Sequence, residues 1–208
     1  SAHGSAPERG RNAIYMASRA CLEIEKLNER LRHDDFLGKG SVTVSEFVSG
    51  SPSLCAVADF ARIHLDRRLT VGETIERAVG EIEALESVRR AGATVRVLEY
   101  ARPSYTGLVY PTKKYYPTWL LGTDDRAVRA AVEAAAAALG RPPAVGTWSF
   151  STNGVATAGM YGVPTVGFGP ANEVYAHSPD DQCPVDHLTK AALFYALFPD
   201  AWVRRRGR

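Results

Sequence analysis

The chain has 208 residues, 45% of them hydrophobic, and a formal net charge of +2. That length can bury a sizeable core in one domain or two small ones, and so even a charge balance gives no electrostatic reason to expect nucleic acid or a strongly acidic partner. No apolar run reaches the roughly 20 residues of a membrane span, and the three cysteines, Cys21, Cys55 and Cys183, are widely spaced without a Cys-x-x-Cys pair, which points to reduced thiols in a cytoplasmic protein.

In chain order, Ile14, Ala17, Cys21, Ile24, Leu27 and Leu31 recur at helical spacing, so residues 12–32 are expected as an amphipathic helix. Glu23, Glu25, Lys26, Glu29 and Arg30 would be its solvated face. His33-Asp34-Asp35 is expected as a helix-end turn, because adjacent side chains diverge and chelate poorly. Residues 41–49 and 57–69 alternate as strands, and Gly50-Ser51-Pro52-Ser53 between them is a turn signal, so the two should pair as a hairpin. In the second strand Ala61, Ile63, Leu65 and Leu69 share one face, and Arg62, His64, Asp66 and Arg68 the other.

Thr70-Val71-Gly72-Glu73 has the spacing of a capping box, which predicts a helix from there to Arg90, stopped by Gly92. Residues 93–100 then alternate as a final strand. The order helix, strand, strand, helix, strand is a split β-α-β layer, ferredoxin-like, with its first strand absent.

Residues 102–122 are rich in Pro, Tyr and Gly and lack periodicity, which marks a connection between domains. Tyr105, Tyr110, Tyr115, Tyr116 and Trp119 beside Lys113 and Lys114 are suited to base stacking, but a packed linker is the preferred reading. Thr123 is expected to cap a helix over 124–139 with a narrow small-residue face, ended by Gly140 and Pro142-Pro143. A short helical piece over 152–161, stopped by Gly162, precedes an expected buried strand over 163–168, which opens into the loop Gly169-Pro170-Ala171-Asn172-Glu173. Pro184 should open a last helix, with His187 inside it as a surface or packing residue, and Pro199 should end it. Arg204-Arg205-Arg206-Gly207-Arg208 reads as a solvated basic tail. His177, among carboxylates beyond a strand's carboxyl end, is by itself either a solvated loop histidine or a metal ligand.

Gly-Val-Pro-Thr-Val-Gly-Phe-Gly-Pro followed by Tyr-Ala-His-Ser-Pro-Asp-Asp-Gln resembles the carboxyl-terminal motif of the dinuclear zinc metallopeptidases that include acetylornithine deacetylase, succinyl-diaminopimelate desuccinylase, aminoacylase and carboxypeptidase G. The selenium-metabolism hydrolase branch is the most similar. Ser1-Ala2-His3-Gly4-Ser5-Ala6-Pro7 resembles the segment that opens the first helix of that family's lid, or dimerisation, domain. The resemblance implies an α/β protein: a ferredoxin-like lid lacking its first strand over 1–102, a connection over 103–122, and the carboxyl-terminal part of the zinc-peptidase catalytic domain over 123–208.

The resemblance also implies roles. His177 would be the last metal ligand. His3 would reach the partner subunit's active site and hold the tetrahedral intermediate, which requires a homodimer through the lid. Asp66-Arg67-Arg68 resembles the strand whose Asp-x-Arg arginine grips a substrate carboxylate; parity favours Arg68 over Arg67. Asn153, where many relatives have aspartate, would line the pocket or cap a helix, and Gly169 would lie in the substrate loop. Cys55 stands where an asparagine is common. The implied reaction is hydrolysis of an amide bond in a peptide or N-acyl amino acid by two zinc ions, with cobalt or manganese as substitutes, a bridging water and a carboxylate base. The family's His-x-Asp ligands, bridging Asp and Glu-Glu pair have no counterpart in this sequence, so they are expected in a segment before Ser1, and the 208 residues alone are expected to be inactive. The alternative is a non-catalytic dimerisation or small-ligand binding module.

Overall fold

The computed structural model describes residues 1–148 and 150–205; Ser149 and, from the basic tail, Arg206, Gly207 and Arg208 lie outside the described residues. The fold is α/β, and the chain divides into two compact units, Ser1–Thr118 and Trp119–Arg208. No helix among the described residues is long and apolar enough to cross a membrane.

In the first unit α1 spans Ala13–Glu29, and the Asn12 side chain caps it by accepting from the amides of Ile14 (2.9 Å) and Tyr15 (3.2 Å). Ala20 and Ile24 are its buried residues, while Ile14 is exposed, so the apolar stripe meets the core only from its second turn on. His33–Asp34 (β1) and Gly38–Lys39 (β2) form a minimal hairpin in place of the expected helix-end turn. The cause is Asp34, whose carboxylate accepts from the amides of Phe36 and Leu37 (2.9 Å each), closing the loop locally.

The long hairpin forms as expected. Ser41–Gly50 (β3) pairs antiparallel with Phe60–Arg68 (β4), from Ser41 against Arg68 to Gly50 against Phe60, with a bulge between Val44 and Glu46. Val42 is buried, with Val44, Ile63 and Leu65 packed around Ala20, Ile24, Leu31, Ile82 and Val88. Fully burying a side chain such as Ile24, 1% exposed, contributes about 1.5–3 kcal/mol.

The capping box works only in part. The Glu73 carboxylate reaches back to the Thr70 amide (2.8 Å), but the Thr70 hydroxyl donates to the Gly38 carbonyl (2.7 Å) instead of accepting from Glu73. The helix therefore starts one turn later, with Thr74 as its cap, and is divided into Ile75–Glu83 (α2) and Glu86–Ala91 (α3). Gly92 ends α3 in the left-handed conformation, φ 65°.

Residues 93–98 form no ladder. Only Glu99–Tyr100 (β5) is strand, and its partner is Thr112–Lys113 (β6) from the connection, not the long hairpin. The connection folds back through a turn at Ser104–Leu108 with Gly107 at φ 84°, and Lys114 donates to the Leu98 carbonyl (2.8 Å), so local pairing wins over a long-range one.

The second unit is built on two helices. Asp125, not Thr123, caps α4 (Arg126–Leu139), accepting from the Ala127 amide at 2.7 Å. Its stripe of Ala130, Ala134, Ala135 and Ala138 packs against Phe194 and Ala201 of α5, Val185–Arg204. Small side chains let the helices approach closely. Pro199 does not end α5. A mid-helix proline costs about 3 kcal/mol, offset here because Ala201 and Trp202 beyond it pack on α4. Arg126 lies 3.6 Å over the Trp202 ring and donates to its carbonyl (2.5 Å).

Between these helices, Val155–Met160 is a π-helical turn, with Tyr161 donating to Ala156 five residues back. Residues 163–168 are not a strand: no described strand of this unit runs beside them. The segment docks instead through Phe168, whose ring stacks on Phe194 at 4.1 Å and whose carbonyl accepts from the Tyr195 hydroxyl.

Candidate functional site

His3 lies at the chain's start, where Ala2–Gly4 run antiparallel to Cys55–Val57. Val57 donates to the Ala2 carbonyl (2.7 Å), Gly4 donates to Cys55, and His3 bridges Ala56. The approach requires Gly4, since a Cβ there would come within 2.8 Å of the Cys55 carbonyl oxygen. The His3 ring is exposed, with Nδ1 2.7 Å from the Ser5 hydroxyl. Nδ1 also accepts from the Ser5 amide (3.2 Å), which makes Nδ1 the acceptor and, in the neutral ring, puts the proton on Nε2. A cavity of about 550 Å³ opens next to this segment, lined by Gly4, Pro7, Asn12, Tyr15, Arg19 and Val57.

The two arginines at the end of β4 separate by parity. The Arg68 side chain is 72% exposed and held by Asp66, with Nε to Oδ1 and Nη2 to Oδ2 both at 2.9 Å. Arg67 points inward, 12% exposed, and its Nη2 donates to Glu73 (2.6 Å) and Glu81 (3.1 Å). Only Arg68 has a guanidinium open to a ligand. Further along the outer face, the Ser45 hydroxyl at the bulge lies 2.6 Å from His64 Nδ1, a pairing that alternation alone did not reveal because the bulge shifts the register.

Asn153 opens the π-helical turn and is exposed. Its carbonyl accepts from the amides of Ala156 (3.0 Å) and Thr157 (3.2 Å), the Thr152 hydroxyl accepts from the Gly154 amide (3.1 Å), and among the described residues no side chain caps the turn. The capping alternative for Asn153 is thereby overturned. Gly169 is exposed with open space around it.

His177 follows a short 3-10 turn, Glu173–Tyr175, and is exposed with φ 63°, a conformation that costs a non-glycine residue about 1–2 kcal/mol. The turn is tied by Ser178, whose amide (3.0 Å) and hydroxyl (2.7 Å) both donate to the Tyr175 carbonyl. Ala171 at the other end of the loop is also left-handed, φ 73°. Sequence reading could not find these two strained residues, since neither alanine nor histidine advertises a positive φ.

Among the described residues no group of three or more His, Cys, Asp or Glu side chains could hold a metal ion. The donors present therefore do not fit a dinuclear site by themselves.

Residues 1–88 match the family described as peptidase dimerisation domain. The chain is 49% identical over 203 residues to uncharacterized protein YgeY of Escherichia coli (strain K12), a match covering 98% of this chain and 50% of that protein, and equally to YgeY of Escherichia coli O157:H7. The chain thus spans about half the length of the curated relatives it matches. Among solved structures, aminopeptidase PepT from Bacillus cereus ATCC 10987 is similar at TM-score 0.65 and 22% identity, over 97% of this chain and 48% of PepT. The M20 family metallo-carboxypeptidase Sso-CP2 from Sulfolobus solfataricus is similar at TM-score 0.53 and 16% identity, over 97% of this chain and 55% of that one. At those identities the likeness is one of fold.

Proposed function

We propose that the chain is part of a metal-dependent hydrolase that cleaves amide bonds in small peptides or N-acyl amino acids, acting as a cytoplasmic homodimer paired through its first unit. The reading rests on the peptidase dimerisation domain matched over residues 1–88. In the complete protein two zinc ions, with cobalt or manganese able to replace them, would activate a water. Among the described residues the metal donors are too few to carry that step, and this chain's own side chains would take the parts that follow.

His3, exposed and with Nδ1 taken by Ser5, would donate through Nε2 to an oxyanion in the partner's active site. The exposed Arg68 guanidinium, one edge of which Asp66 holds, would take a substrate carboxylate on its other edge. Asn153 and Gly169 would border the substrate, and His177 would supply one imidazole to a metal. The left-handed backbone of His177 favours that role, because strain of this kind is kept where it aims a functional group.

The test uses the full-length protein. His177→Ala should lower the zinc content per subunit and abolish chelator-sensitive hydrolysis. Unchanged metal content and turnover would remove the assignment and favour a dimerisation or binding module without catalysis.

A further inference from the structure

We infer that Arg67 is a positioning residue for Arg68, an inference that rests on reading Arg68 as the group that takes the substrate carboxylate. Alternation along β4 puts Arg67 on the face of Ile63 and Leu65, where the pattern calls for an apolar side chain. A cation there needs compensation, and Glu73, whose side chain is fully buried, supplies it together with Glu81.

Two carboxylates use only one arm of the fork. The other arm, Nη1, donates to the backbone carbonyl of Arg68 itself. On the far side of the same turn, the Glu73 carboxylate that binds Arg67 also accepts from the Thr70 amide (2.8 Å). A Cβ on Gly40 would lie 2.8 Å from Glu73 Oε2, 2.9 Å from Arg67 Nη1 and 3.0 Å from the Arg68 carbonyl oxygen, so three segments close on this one point.

Arg68 is the last rung of the ladder, opposite Ser41, and among the described residues only Asp66 holds its exposed side chain. What fixes its backbone, and hence the direction in which its side chain leaves the sheet, is the pin underneath. A lysine at 67 would keep a charge for the glutamates but lose the second arm, because an ammonium lacks the rigid fork.

The experiment compares full-length wild type, R67K, R68Q and R67K/R68Q on N-acetyl amino acids and on the same compounds as carboxamides, which lack the carboxylate. R68Q should raise KM for the acids, and R67K should raise it about 5-fold, the weight of one hydrogen bond. In R67K kcat and the KM for the carboxamides should stay unchanged, and the double variant should match R68Q alone. G40A, which crowds the same point, should reproduce the R67K effect if R67K folds poorly. E81Q, which leaves Nη1 on the Arg68 carbonyl, should not.

Wild-type KM for the acids in R67K, or an equal rise for acids and carboxamides, would overturn the inference while leaving Arg68 in place. An R68Q variant indistinguishable from wild type, or no preference for acids in the wild type, would overturn the reading of Arg68 and the inference with it.

Discussion

His177 and Arg67 each carry a cost that the surrounding chain offsets. Replacing His177 by glycine removes the imidazole but relaxes the backbone at φ 63°, so His177→Gly should be more stable than His177→Ala by about 1 kcal/mol, read from denaturant midpoints at unchanged slope. Equal midpoints would mean that the turn adapts and holds no strain. For Arg67 the sign is opposite. Arg67→Met suits the apolar face but leaves the buried Glu73 without its partner, and breaking such a pair costs about 3–5 kcal/mol. Arg67→Met with Glu73→Gln should recover part of that loss. Parity in the sequence was enough to separate Arg67 from Arg68, because strand alternation is a purely local property. It could not reveal that Arg67 has two glutamates beneath it, since Glu81 comes from α2, and that contact exists only once the helix has packed on the sheet.

At the scale of elements, local codes were legible and partner choice was not. The long hairpin, α1, α4 and the glycine stops were readable from period and turn signals, while the cap of α4 fell on Asp125 and not on Thr123. Of the expected strand at 93–100 only Glu99–Tyr100 formed, and the one at 163–168 did not form, because a strand needs a neighbour, which no local pattern specifies. Helix α3 gives the converse case. Leu85 at its start has no capping side chain, and Glu23 of α1 fills that place from a distance, accepting from the Ser87 amide (3.1 Å) and hydroxyl (2.9 Å). The Ser87 amide, then its hydroxyl, hold the Glu23 carboxyl below its ordinary range. A depressed folded pKa means that the stabilisation is complete above the unfolded value of about 4.3 and is lost as pH falls through the lower folded value. Glu23→Gln should therefore flatten the acid limb of the stability curve below about pH 4.3, and an unchanged limb would place the acid sensitivity elsewhere. In the second unit, Gly167 lies against Trp148, where a Cβ would come within 2.3 Å of the ring. Gly167→Ala should displace that indole and shift its fluorescence, because the ring and not the backbone must give way.

For the whole molecule the question is what these residues can do by themselves. The first unit has a core that combines helix and sheet, but the second relies on α4 against α5, and its surface keeps Trp148, Phe150, Met160, Tyr161, Val163, Val174 and Val185 exposed. Apolar exposure on that scale favours association, so the 208-residue chain should show concentration-dependent oligomers by light scattering. Catalysis is a separate matter. Metal affinity depends on the number of ligands and on a preformed geometry, and among the described residues no three candidate ligands converge. The purified chain with excess zinc or manganese should then hydrolyse neither dipeptides nor N-acetyl amino acids. Full-length protein should do so only as a dimer if His3 acts across the interface. Mixing full-length His3→Ala with a full-length His177→Ala variant should restore part of the lost activity, because one active site in the hybrid then has both an intact metal-binding histidine and an intact His3 from its partner. Losing such a donor costs on the order of 100-fold in turnover, so even fractional restoration stands well above background. Hybrids that form, by mass, yet remain inactive would place His3 outside the partner's site. Robust chelator-sensitive hydrolysis by the 208 residues alone, abolished in His177→Ala, would show that this chain does assemble a working metal site around His177.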